Sequence, residues 1–338
     1  MALTYSTFGL LQVLRQAAFA LRRGDGLRQE VEVLAARLRR DQARMRAFLG
    51  RELRGLDVLE LGPGQHCARA RVLGQHNRVT AVDLDEVLLG VHPRAVVEAA
   101  RKNGAGRVVK TLARKALGVD RAMRRAWAEA AGARSLPDPR LVRADVCAGL
   151  PLAPDSFDVV ASWSVFEHLP DPARALEHAI AVLRPGGVLC IGIHLFTANN
   201  GHHDIRAFTG DEGALPPWAH LRPGTRHLVR PSAVLNGWRL SQWRALFEAK
   251  APGAAEFQER YGEDRLREAL TPELRAELVG YDDEELLTVD VFYLWRKPAA
   301  VPVVRPAIPV VAAVHEAATA SQARPAAPPA PVDPVRVA

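Results

Sequence analysis

Glu60, Gly62 and Gly64 follow the apolar start of Val58-Leu-Glu-Leu-Gly-Pro-Gly-Gln-His66, and Asp83 closes a second apolar run about twenty residues later. The glycines permit positive φ and close approach of main chain to a ligand, and the acid beside them can meet a cationic amino group. A carboxylate at the spacing of Asp83 can accept hydrogen bonds from a ribose diol. Nicotinamide and flavin sites share part of this grammar. Here, however, the third glycine of a GxGxxG pattern is Cys67, so close helix packing beneath a pyrophosphate is not supported. A tight turn without ligand also fits the glycines, and a helix N-cap fits Asp83 and Asp145.

A second concentration of chemistry lies downstream. Five of the eleven histidines, His194, His202, His203, His220 and His227, fall within 34 residues, and His168 follows another apolar run. A positioned imidazole can remove a hydroxyl proton near neutral pH, and His202 or His203 is the first choice for that role, then His168. His168 can instead order the loop before Pro170, and His194 can be a buried histidine satisfied by backbone. His202, His203 and Asp204 also carry metal-ligand chemistry, but adjacent histidines point apart unless the loop bends, so no metal is expected. Trp218, His220 and Arg222, within PPWAHLRPGTRHLVR, mix flat apolar faces with guanidinium forks, a lining that suits sugars and phosphate esters. With His194 they form the expected acceptor wall, whereas Trp238 and Trp243 read equally well as core.

These residues need elements to position them. Short apolar runs at 57–62, 78–85, 141–145, 157–163 and 188–194 alternate with helical stretches, which implies a doubly wound, mostly parallel sheet buried on both faces. Pro172 and Pro185-Gly186-Gly187 bracket the helix between the fourth and fifth runs. Residues 286–297 have β-character and are expected to pair antiparallel with 254–260 at the sheet edge, giving about seven strands. Two amphipathic helices are expected at 8–23 and 28–54, a basic helical insertion at 104–138, and a substrate cap at 196–252 that includes a helix at 232–249.

With those elements in place, ELGPG, AVDLD, RADVCAGLPLAPDSFDVV, SVFEHLPDP and VLRPGGVL occur in the order and approximate spacing of class I S-adenosylmethionine-dependent methyltransferases. The resemblance covers about residues 56–195 and makes 56–297 the expected catalytic domain. It implies that Glu60, Gly62 and Gly64 contact the methionine part of the methyl donor, Asp83 the ribose, Leu84 the adenine face, and Asp145 with Val146 the adenine edge. Trp163 then stands next to the methyl. A looser resemblance, from Asn199 through the Trp-Ala-His-Leu-Arg run, is to a bacterial subgroup acting on small molecules or glycans, and it implies a substrate cap.

Bulk properties weigh the rival functions. Between Arg101 and Arg143 twelve Lys or Arg face three acids, against a net charge of +7 for the whole chain. Such a patch can attract an anionic acceptor, a phospholipid surface or nucleic acid, or be a solvated helical face. Ser162-Trp-Ser164 stands where amino-group modifiers of adenine carry Asp or Asn-Pro-Pro-aromatic, and Trp127 is the patch's single aromatic, so a small-molecule acceptor ranks above nucleic acid. A cofactor-binding scaffold without turnover is the non-enzymatic alternative. Three dispersed cysteines and the lack of an export or membrane-spanning run fit the cytoplasm, with peripheral membrane contact left open and oligomeric state undetermined. The Pro/Ala/Val-rich stretch 298–338 is expected to be disordered.

Overall fold

Runs of consecutive apolar residues become strands covered on both faces. The computed structural model describes residues 25–204, 206 and 215–299. Seven strands form one sheet: β1 (Asp57–Leu61), β2 (Arg78–Asp83), β3 (Arg140–Arg143), β4 (Phe157–Trp163), β5 (Leu183–His194), β6 (Ala255–Glu259) and β7 (Asp290–Arg296). Their order is β3-β2-β1-β4-β5-β7-β6. The chain steps outward from β1 to β3 and then returns to the other side of β1, so strand order reverses between β1 and β4, the place where open sheets bind ligands.

β1 to β5 run parallel, and β7 lies antiparallel between β5 and β6. The expected doubly wound sheet, its strand count and the pairing of 254–260 with the last strand are all present. The antiparallel strand, however, sits one place in from the edge, because β6 closes on the outer side of β7.

Alternate side chains of each strand enter opposite cores. Leu59, Leu61, Val160, Leu189 and Ile191 pack with Leu176 of helix Pro172–Val182 and with Trp243 and Phe247 of helix Leu240–Lys250. Val58, Val159, Ala161 and Cys190 face Leu38 and Met45 of helix Asp25–Leu49 and Trp127 of helix Val119–Ala130. Each fully buried Leu, Val or Met contributes about 1.5–3 kcal/mol of transfer free energy, which holds these helices on the sheet.

Helix Asp25–Leu49 matches the second expected N-terminal helix; the first, at 8–23, and nearly all of the stretch 298–338 lie outside the described residues. The insertion is a helical pair, Ala105–Ala116 and Val119–Ala130, turned at Gly118 with φ 76°. The helix expected at 232–249 begins only at Leu240, because the preceding segment is held against the loop after β4. There Asn236 gives its main-chain N–H to Glu167 O at 2.8 Å and its side-chain amide to the carbonyls of Phe166 and Leu169. Three short helices, Glu263–Ala269, Pro272–Glu277 and Asp283–Leu287, fill the stretch before β7, where a longer strand was expected from residue 286. Among the described residues no helix is long and apolar enough to cross a membrane.

Candidate active site

At the reversal point the loop after β1 meets the loop after β4. Ser162 Oγ donates to Leu61 O at 3.0 Å, and a Cβ on Gly62 would fall 2.3 Å from Val165 Cγ2. Gly62 has φ 69° and Gly64 φ 64°, so both use left-handed backbone, but a Cβ on Gly64 would meet nothing within 4 Å. Gly62 is therefore required by packing, and Gly64 keeps an approach clear.

Glu60 stands beside that approach. It is 2% exposed, and its Oε2 has no hydrogen-bond partner. Burial pushes its pKa up to about 7, against the opposing pull of Arg69. A buried, unpartnered carboxylate oxygen can receive a cationic amino group. Asp83, at the end of β2, accepts from Asp85 N at 2.9 Å, and burial raises it to about 6. Leu84 is half-buried next to it. At the end of β3, Asp145 Oδ1 accepts from Cys147 N at 2.8 Å, and the carbonyl of buried Val146 meets His178 Nδ1 at 2.7 Å. Glu60 and Asp83 thus lie in the last residues of β1 and β2, and Gly62, Gly64, Leu84, Asp145 and Val146 on the loops that follow β1, β2 and β3, on one edge of the sheet.

A cleft of about 770 Å³ opens at the ends of β4 and β5, lined by Trp163, Ser164, His194, Asn200, Arg37 and Tyr261 among others. Trp163 is fixed from beneath: its Nε1–H donates to Asp41 Oδ2 at 3.0 Å, and the Arg69 guanidinium lies 5.3 Å from its ring centre. Asp41 is 2% exposed, and burial raises its pKa to about 6 although Trp163, Arg44, Arg40 and Arg69 all favour its charge.

On the same wall His194 Nδ1 lies 2.8 Å from Asp290 Oδ1. Burial opposes charging of His194, but the hydrogen bond and charge of Asp290, with the charge of Glu167 and a hydrogen bond to the Asn200 backbone, together outweigh it and raise the pKa. A smaller cavity of about 320 Å³ shares Ser164, His194 and Asn200 with the cleft and adds His202, His203 and Asp204.

The histidines divide into two groups. His203 has φ 48°, and its ring stands edge-on to His168 at 4.9 Å and to His194 at 5.0 Å between centres. His202 turns the other way, 5.2 Å from His220. His202 Nδ1 accepts from Asp204 N at 2.9 Å, so its lone pair is occupied and it cannot receive a proton there. Burial and the surrounding histidines hold His203 down to about 2. Neither expected base is therefore well placed to gain a proton, whereas His194 has the orienting carboxylate that they lack.

Two expected acceptor contacts lie elsewhere. Trp218 is fully buried with Leu270, Leu274, Leu286 and Leu287, and Arg222 forms a two-pronged pair with Glu277. Both fasten the segment around 217–222 to the short helices instead of lining the cleft. His220 sits behind His202, with Nε2 2.6 Å from Phe196 O. Glu167, Asn236, Asp41, Tyr261 and Asp290 were not expected at the site. The acid–histidine doublet at 167–168 was the one visible signal; the others arrive by tertiary contact. Within the basic insertion Arg114 and Lys115 pair with Asp120 and Arg124 with Asp138, which Arg71, from outside the insertion, also reaches.

The family model described as a methyltransferase domain matches residues 102–191. A Mycobacteroides abscessus protein described as an uncharacterized methyltransferase is 36% identical over 91 residues, 26% of this chain. The match spans about a third, 35%, of that relative's length. Solved structures with a similar chain path include an S-adenosylmethionine-dependent methyltransferase from Mesorhizobium loti, with 20% identity, TM-score 0.39, and coverage of 72% of this chain and 92% of that one. Another is a Burkholderia thailandensis 1,6-didemethyltoxoflavin-N1-methyltransferase holding its substrate and S-adenosylhomocysteine, with 18% identity, TM-score 0.37, and coverage of 85% and 88%. The motif order, the sheet order about β1 and β4, and the matched segment agree: residues 102–191 are similar to a methyltransferase domain, and the chain resembles the class I S-adenosylmethionine-dependent methyltransferases.

Proposed function

We propose that this protein methylates an oxygen of a small-molecule acceptor, a sugar, glycan precursor or secondary metabolite, with His194 as general base. The observation that carries this reading is the His194–Asp290 pair on the wall of a cleft that also reaches Trp163 and Ser164 at the end of β4.

S-adenosylmethionine supplies an electrophilic methyl group on a sulfonium. Glu60 Oε2 would take the donor's amino group, Gly62 and Gly64 would let main chain approach it, and Asp83 would hold the ribose hydroxyls. Leu84 would cover the adenine face, and Asp145 with Val146 would meet its edge. The protein's remaining task is to align the acceptor oxygen and remove its proton. With Nδ1–H of His194 given to Asp290, Nε2 carries the lone pair that accepts that proton, and Asp290 stabilises the imidazolium formed. The locked indole of Trp163 would form the wall between donor and acceptor.

Arg37, Arg69 and Arg265 line the same cleft, which supports an acceptor bearing negative charge. The unpaired cysteines Cys67, Cys147 and Cys190 fit a reducing, cytoplasmic setting. The test is incubation of the protein and methyl-labelled donor with fractionated small-molecule extracts, read by mass spectrometry. A labelled product that His194→Gln reduces about a hundredfold or more supports the reading. Label only in nucleic acid, or undiminished product with the variant, would contradict it.

A further inference from the structure

We infer that Glu167, His168 and His203 form a binding site for one first-row divalent metal ion beside the acceptor cleft. One donor atom from each of the three residues lies within 4.8 Å of the others. Ligands of a single tetrahedral zinc lie about 3.4 Å apart, given bonds of about 2.0–2.2 Å, so side-chain adjustment within a rotamer closes the set.

Each donor is prepared for such an ion. Glu167 is 2% exposed, and neither carboxylate oxygen has a hydrogen-bond partner of good geometry, an arrangement that leaves a buried carboxylate wanting a cation. His168 Nδ1 lies 2.8 Å from Val234 O, which assigns its proton to that side and leaves Nε2 with the lone pair, the usual support of a metal-bound imidazole. Nε2 of His203 is buried without a partner.

The supports are rigid. Ser232 donates to His203 O through both N and Oγ at 2.8 Å, and Asn236 grips the 3₁₀ turn Phe166–His168. Adjacent histidines do point apart here: at φ 48° His203 turns toward His168, and His202 turns away. The divergence that argued against a His202–His203 metal pair is what joins His203 to a different pair of ligands.

Two imidazoles and one carboxylate suit zinc, iron(II), manganese(II) or cobalt(II) better than magnesium or calcium. Three protein ligands leave a coordination position open. His203 borders the cavity shared with His194 and Asn200, so that position can take an oxygen ligand entering from the cavity.

The site stands independently of the methyl-transfer reading, and its test uses metal binding alone. Untagged protein stripped with chelator is titrated with Zn(II) by calorimetry and with Co(II) by visible absorption, alongside Glu167→Gln and His203→Asn, the latter because asparagine tolerates positive φ. One equivalent bound at micromolar or tighter affinity, a Co(II) spectrum without thiolate charge transfer, and at least tenfold weakening in each variant support the site. Absence of stoichiometric binding to the wild type, a thiolate spectrum, or unchanged binding in both variants would overturn it. Binding of S-adenosylhomocysteine, measured on the same samples, reports separately on folding and on the donor site.

Discussion

His194 Nδ1 and Asp290 Oδ1 lie 2.8 Å apart, and the two residues are register partners in the antiparallel pairing of β5 with β7. The last residue of one strand is thus oriented by the first residue of another, which fixes the imidazole without any flexible loop. Asp290→Asn should leave affinity for S-adenosylhomocysteine within about threefold and lower kcat by about a hundredfold, since the amide can invert the tautomer. Steady-state kinetics with the identified acceptor checks this, and a change confined to KM would remove Asp290 from the positioning role.

Gly62 and Gly64 make opposite predictions. Gly62→Ala adds a Cβ 2.3 Å from Val165 Cγ2 at φ 69°, so it should lower Tm sharply, corresponding to about 2–4 kcal/mol. Gly64→Ala meets no atom within 4 Å and carries only the left-handed backbone cost of about 1–2 kcal/mol, yet it should weaken S-adenosylhomocysteine binding at least tenfold. Thermal melts and titrations of the two variants separate packing from ligand approach.

Much of this was legible in the chain because local chemistry dictates it. Continuous apolar runs give strands buried on both faces, and Gly62, Gly64 and Asp83 mark strand ends that the topology brings to one edge. Asp290 and Asp41 were not legible, because nothing local distinguishes them from surface acids; one acquires its role by strand register and the other by reaching buried Trp163. In the PPWAHLR stretch Trp218 and Arg222 have the composition of a ligand wall, but the short helices after β6 offer them an apolar pocket and Glu277. The pairing of His203 with His168 depended on one backbone angle, φ 48°, at a residue type that gives little sign of it.

Glu60 makes donor binding pH-dependent. Its folded pKa is raised to about 7, chiefly by burial, with Arg69 opposing and Asp83 adding to the shift, so the empty site holds a largely protonated carboxyl below pH 7. A cationic amino group requires the ionised form, so S-adenosylhomocysteine affinity should climb with pH up to about 7 and level above it, with proton release on binding at lower pH. Calorimetry in buffers of different ionisation enthalpy measures that release. Glu60→Gln should bind more weakly and with a flat profile; a flat profile in the wild type would contradict the assignment.

Asp41 offers a stability test. Its pKa is raised from 3.8 to about 6, first by burial, against the favourable effects of Trp163, Arg44, Arg40 and Arg69. A carboxyl raised in the folded state contributes most below its unfolded pKa, and the contribution is lost as pH rises through the folded value. Between about pH 4 and pH 7 the wild type should therefore lose roughly 2–3 kcal/mol that Asp41→Asn retains. The variant's Tm relative to wild type should rise across that interval, and a constant difference would refute the account.

The central claim, that the loop after β1 with Asp83 holds the methyl donor, is tested most directly by calorimetric titration of the full chain with S-adenosylhomocysteine. The account predicts one site per chain, with Asp83→Ala weakening it at least tenfold while the fold is retained. Absence of binding to the wild type, or equal binding by the variant, would contradict it.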